Sequence, residues 1–152
     1  MRLRRPSSIE FQDKYFTMNV GIEWLVDAEG CSEELLRDLG TVKRVCDKII
    51  ADLELRVVSQ PMWHQFPMPG GVTGLLLLTE SHLACHTYPE LGTATFNLYC
   101  CRKRSEWEWQ ANLLEMLGAT RVTVRKVIRA EQSLPKSGDS EVDTISRTTT
   151  TV

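Results

Sequence analysis

Long hydrophobic runs are missing from this chain. The longest, such as Leu75 to Leu78, are four residues, against the ~20 that an apolar helix needs to cross a bilayer. The basic start Met1-Arg2-Leu3-Arg4-Arg5-Pro6 is not followed by an apolar stretch, so no secretory signal is expected. An excess of one charge is missing too. Eighteen Lys and Arg against 20 Asp and Glu leave −2, which gives no electrostatic footprint for nucleic acid or an anionic membrane. The five cysteines (Cys31, Cys46, Cys85, Cys100, Cys101) form an odd set without Cys-x-x-Cys spacing. Adjacent Cys100 and Cys101 would point to opposite faces of a strand. A disulfide framework is therefore not expected, and reduced thiols in the cytoplasm are. No internal repeat is present.

What is there reads as one globular domain. The 152 residues are 42% apolar and 25% charged, and a chain this long buries about two-thirds of its unfolded surface without disulfides or metal. Residues 1–17 are basic and polar and read as a flexible arm. From Gln132 onward nine of 21 residues are Ser or Thr, so 131–152 reads as a disordered tail that buries too little to offset ordering entropy. The domain spans 18–130. Asn19 to Asp27 reads as a strand. Ser32 caps a helix whose stripe runs Leu35, Leu36, Leu39, Val42, Val45, Cys46, Ile49, Ile50 and Leu53, with Gly40 inside it at a cost of about 1 kcal/mol. Strands follow at Leu55–Ser59, Val72–Thr79 and Thr93–Cys101. The capping-box pattern Ser105-x-x-Glu108 opens a second helix that closes at Gly118, and Arg121–Ile128 is the last strand. The predicted fold is α+β: a two-layer sandwich of an antiparallel sheet with two helices on one face, in the order β-α-β-β-β-α-β. A second copy would cover the other face, giving a homodimer with facing sheets.

Chemistry concentrates between Gly71 and Cys101. Two of the three histidines (His82, His86) and three of the five cysteines lie there, behind a buried strand and beside Glu80-Ser81. Gly71-Val-Thr-Gly, an apolar run, Glu80-Ser81-His82-Leu83, His86, Pro89-Glu90 and Cys101 follow in that order. This ordered set resembles the processing site of the bacterial and archaeal S-adenosylmethionine decarboxylases. That family has a Gly-Val-Ser-Gly turn, Glu-Ser-His-Leu, a His five residues after the Ser and a catalytic Cys twenty after it.

The resemblance implies cleavage between Glu80 and Ser81, with the cofactor a pyruvoyl group derived from Ser81. It assigns His86 to the elimination step and the hydroxyl of Thr73, usually Ser in the family, to stabilising the intermediate. Cys101 would return a proton to the substrate carbon; a thiol near its reference pKa of about 8.5 is protonated at neutral pH and able to donate. The pyruvoyl ketone would take the amine of a small, amino-acid-type substrate as a Schiff base and serve as electron sink. The resemblance places Glu90 on ribose hydroxyls, with Phe66 or Trp63 as the aromatic that stacks on adenine. Cys100, Cys31 and Cys46 are assigned to the core. The assembly implied is a homodimer of processed αβ units in polyamine synthesis.

Other readings compete. His82 and His86 with Cys85 or Cys101 would suit zinc on a helix. On a strand the two histidines lie about 13 Å apart, too far for one ion. A Ser-His hydrolase lacks Gly-x-Ser-x-Gly. An unprocessed binding module would not need the Ser-His-Cys set. The substrate is more open. Glu23 stands where the family's first strand usually has Gly-x-His, Tyr88 precedes Pro89 where Trp is usual, and Leu91 replaces an aromatic. The same pyruvoyl chemistry on arginine or ornithine is the alternative, with Glu23 as receptor for a basic side chain.

Overall fold

The computed structural model describes residues 15–135. In chain order its elements are β1 (Tyr15–Met18), β2 (Gly21–Glu29), α1 (Glu33–Arg37), α2 (Leu39–Asp52), β3 (Met62–Gln65), β4 (Val72–Leu78), β5 (Ser81–Tyr88), a 3-10 turn (Pro89–Leu91), β6 (Thr93–Cys100), α3 (Trp109–Leu117), β7 (Arg121–Arg129) and β8 (Gln132–Pro135). Residues 19–130 form one compact unit; β1 and β8 belong to another.

The compact unit is a six-stranded antiparallel sheet in the order β3-β4-β5-β6-β2-β7, so the α+β class stands. Strand alternation separates two faces. Trp24, Val26, Ala28, Leu76, Leu78, Leu83, Cys85, Ala94, Phe96 and Leu98 are buried together with Leu36, Val45, Cys46, Ile49, Leu113 and Leu117 from the helices. The opposite face carries no helix among the described residues and leaves Met62, Leu75, Leu77 and Val127 exposed.

Three helices, not two, cover the first face. The long stripe breaks at Asp38, whose extended backbone (φ −76°, ψ 104°) ends α1 while its carboxylate accepts from Thr41 N–H at 2.8 Å and starts α2. Ser32 does cap α1, at 3.5 Å from Leu35 N. Gly40 therefore sits in the first turn of α2, not in a helix interior. The Ser105-x-x-Glu108 capping box does not form: Glu108 is itself the N-cap of α3 and makes no side-chain cap bond. Gly118 closes α3 as expected, in the left-handed conformation (φ 72°) that costs glycine least.

The strand reading needs three corrections. Leu55–Ser59 is no strand. It makes one bridge, Val57 with Leu78, flanked by two backbone hydrogen bonds to the end of β4, while the ladder along Val72–Leu75 is made by Met62–Gln65. Ser81–Tyr88 is a full strand between β4 and β6. Finally, Tyr15–Met18 pairs antiparallel with Gln132–Pro135, so the arm and the tail each lose their inner end to a two-stranded ribbon. The remainder of both lies outside the described residues.

Candidate active site

The site residues gather around one strand, β5, and its connection to β4. Leu78 pairs with Ser81, so only Thr79 and Glu80 make the hairpin turn. The peptide bond of interest joins that turn to the strand. Its carbonyl, Glu80 C=O, accepts from two donors: Cys101 N–H at 3.1 Å and Cys101 Sγ at 2.7 Å. Both donors address the oxygen of the carbonyl that Ser81 Oγ would attack, where negative charge develops in an acyl shift. The Glu80 side chain is paired with Arg102 (2.8 Å) and Arg104 (3.3 Å). Ser81 lies in register with Cys100. Burial pushes the Cys100 thiol up, and the Ser81 hydrogen bond opposes this. Cys100 is thus a core residue, as expected, that also touches Ser81. A cavity of ≈350 Å³ opens here, lined in part by Arg56, Glu80, Ser81, Arg102 and Arg104.

The other end of β5 holds a different set. Thr73 and His86 are direct cross-strand partners on the helix-free face, with Thr73 Oγ1 3.0 Å from His86 Nδ1. A cleft of ≈530 Å³ contains both, together with Phe66, Tyr88 and Glu90. Its wall depends on Gly71: a Cβ there would stand 2.4 Å from Thr87 C=O. Thr87 is buried and fully used. Its hydroxyl accepts from Val72 N–H and donates to Leu36 C=O, both at 2.8 Å, which ties α1 and β4 to the residue beside His86. Phe66 packs edge-on to His64 with ring centroids 4.5 Å apart and stays half exposed.

The predicted residues therefore fall into two groups. Glu80, Ser81 and Cys101 meet at one end of β5. Thr73, His86, Phe66 and Glu90 meet at the other, five residues along, or about 17 Å at 3.3 Å per residue. Trp63 joins neither. It faces the helices, against Gly74 and under Lys43 Nζ at 5.6 Å, because it pairs with Gly74 in the register that turns alternate β3 residues inward. Cys85 is buried on the helix face, away from His82 and His86, and among the described residues no three His, Cys, Asp or Glu side chains gather as metal ligands. Arg102, Arg104 and Tyr88 were not among the sequence candidates. The run Cys100-Cys101-Arg102-Lys103-Arg104, three cations directly after the cysteine, is the signal by which the first two could be found.

Glu23 is not free to receive a ligand. Its Oε1 accepts from Asn97 Nδ2 at 2.8 Å and its Oε2 from Arg129 at 2.5 Å. The Asn97 hydrogen bond, with Arg129 adding to it, holds the carboxyl below the ordinary range.

Comparison with known proteins gives one consistent result. The family model described as S-adenosylmethionine decarboxylase matches residues 22–130. The S-adenosylmethionine decarboxylase proenzyme of Moorella thermoacetica is 34% identical over 121 residues, 78% of this chain and 94% of that protein. The proenzyme of Thermoplasma acidophilum is 28% identical over 83% of this chain and 95% of its own. A crystal structure of the adenosylmethionine decarboxylase from Aquifex aeolicus has the same fold, with a TM-score of 0.62 at 20% identity, over 81% of this chain and 98% of that one. The chain belongs to the S-adenosylmethionine decarboxylase family.

Proposed function

We propose that this chain cuts itself between Glu80 and Ser81, carries the resulting pyruvoyl group on residue 81, and decarboxylates S-adenosylmethionine for polyamine synthesis. The observation that carries the reading is the doubly hydrogen-bonded Glu80 carbonyl. Ser81 Oγ attacks its carbon, the Glu80–Ser81 C–N bond breaks, and the serine nitrogen takes a proton, leaving an ester. Loss of the Ser81 Cα proton expels the Glu80 carboxylate. Water then replaces the nitrogen, released as ammonia, and leaves the ketone. Cys101 N–H and S–H stabilise the oxyanion of the first step. His86 is the base for the second, with Thr73 fixing its ring.

The group's contribution once formed is a conjugated carbonyl that accepts the electrons left as CO₂ departs. The chain's own residues bind and orient the substrate. Phe66 offers a ring face for adenine, Glu90 acceptors for ribose hydroxyls, and Cys101 the proton for the product carbon. The proposal includes a cytoplasmic setting with reduced thiols.

The separation of about 17 Å along the strand supports an assembly. His86 cannot reach Ser81 of its own chain while both sit on one extended strand. Ser81 shares the helix face with Cys100, and His86 lies on the other. A second copy laid sheet to sheet with strands reversed would therefore bring the Thr73–His86 end of one to the Cys101 side of the Glu80–Ser81 turn of the other, and would cover Met62, Leu75, Leu77 and Val127. We infer a homodimer of processed units with two composite sites. Decarboxylation of arginine or ornithine loses its support, since both Glu23 oxygens are occupied.

The test is intact-mass measurement with CO₂ release. Wild type should give fragments 1–80 and 81–152 and release CO₂ from S-adenosylmethionine, and Ser81→Ala should stay whole and inactive. A wild-type chain that never cleaves, or release only from arginine or ornithine, would overturn the reading.

A further inference from the structure

We propose that Arg102 and Arg104 are positioning residues for self-cleavage: the two guanidiniums clamp the Glu80 carboxylate and so hold the scissile carbonyl against the Cys101 donors. The proposal rests on the self-processing reading above and extends it to residues that reading does not use.

The turn is held from outside rather than by its own sequence. Two-residue hairpins favour turns with positive φ, usually at Gly, Asn or Asp, because these match the twist of the strands. Thr79-Glu80 has none of these residues, and neither residue takes a positive φ. External ties replace the missing turn chemistry. Thr79 N–H donates to Arg56 C=O at 3.0 Å. Glu80 C=O is held by Cys101. Each Glu80 carboxylate oxygen has its own cation, Oε1 with Arg102 Nε at 2.8 Å and Oε2 with Arg104 at 3.3 Å. Because Arg102 follows Cys101 directly, the segment that donates to the carbonyl is the segment that grips the side chain of the same residue.

Magnitudes separate a positioning role from a stabilising one. Arg102 is 72% exposed, and exposed ion pairs contribute little to folding stability. Misplacing reacting atoms by about 1 Å can cost about 100-fold in rate. Loss of the clamp should therefore show in the cleavage rate and barely in the melting temperature. The charge balance points the same way. Cleavage converts a neutral peptide carbonyl into the Glu80 carboxylate, and it does so beside a cavity lined by Arg56, Arg102 and Arg104.

The experiment follows freshly synthesised full-length chain by intact mass as 1–80 and 81–152 appear. Wild type is compared with Arg102→Ala/Arg104→Ala, Arg102→Lys/Arg104→Lys, Glu80→Gln and the triple variant that combines Glu80→Gln with both alanines. The alanine pair and Glu80→Gln should each cleave about tenfold or more slowly. The triple should be no slower than the slower parent, the non-additivity of groups acting as one unit. The lysine pair should recover to within about threefold of wild type, since each cation needs only one contact. Wild-type rates in the alanine pair, or multiplying losses in the triple, would overturn the clamp. If the alanine pair loses its cooperative melt, exposed Arg102→Ala alone decides, and an unchanged rate there refutes the proposal. A wild-type chain that stays whole sinks self-processing itself, and the clamp with it.

Discussion

The two ends of β5 differ in what they lack. The Ser81 end has an electrophilic carbonyl, two donors on its oxygen and three arginines nearby, but not His86; the neighbouring His82 packs on the Tyr99 ring, 5.7 Å between centroids, and does not line that cavity. The Thr73–His86 end has a base, an aromatic, an acid and an open cleft, yet no carbonyl to attack. On the function proposed above each is half of a reaction centre, and an extended strand keeps the halves of one chain apart. Residues that belong together in a mechanism need not belong together in a protomer, and sequence spacing alone cannot tell the two cases apart.

The sharpest way to break that comparison is complementation. His86→Ala alone should slow cleavage by about 10²–10⁴-fold, the usual worth of a positioned acid or base, and Ser81→Ala alone should abolish it. When the two variants are made together with distinguishable tags, the His86→Ala chain should be cleaved, because its Ser81 meets the partner's His86. No cleavage in the mixture would mean that each chain serves its own serine.

A smaller effect is expected at Thr73. Thr73→Val removes the hydroxyl 3.0 Å from His86 Nδ1 and should slow cleavage about tenfold or more, whereas Thr73→Ser should stay within a few-fold. Equal loss in both would assign the role to the methyl and not to the hydroxyl. Thr87→Val tests the support of that end. It leaves Val72 N–H and Leu36 C=O buried without partners and should cost about 1–3 kcal/mol, read from urea unfolding. A neutral result would mean that water replaces the hydroxyl.

The smallest effect concerns Glu23. Its pKa is depressed in the fold, chiefly by Asn97 and then by Arg129. A depressed carboxyl contributes stability above its unfolded value of about 4.3, and that contribution is lost as pH falls through the folded value. Asn97→Ala should therefore lower the urea midpoint at pH 7 more than at pH 3. An equal drop at both would assign the loss to packing.

Legibility in the sequence followed local physics. The stripe Leu36, Val42, Val45, Cys46 and Ile49 is buried as its period requires, and Val72–Leu78, Thr93–Cys100 and Arg121–Arg129 lie where alternation and turn residues put them. The break at Asp38 was hidden because Asp caps one helix without disturbing the apolar period of the next. β5 was missed because its turn, Thr79-Glu80, carries no glycine or asparagine. β3 was missed because Met-Trp-His-Gln has no alternation and is an edge strand held by its ladder to β4. Trp63 was offered as a ligand contact because an aromatic near Phe66 fits the spacing; register turned it inward.

By itself the sequence supplied the candidate reacting set: Glu80, Ser81, Thr73, His86 and Cys101 are picked out by residue type and order through their resemblance to the family's processing site. Only the tertiary structure decided that Cys101 supplies two donors to the Glu80 carbonyl, that Arg102 and Arg104 pair with the Glu80 side chain, and that His86 lies about 17 Å along the strand from Ser81. Those are matters of register and strand rise, which depend on partners distant in the chain and leave no local mark in it.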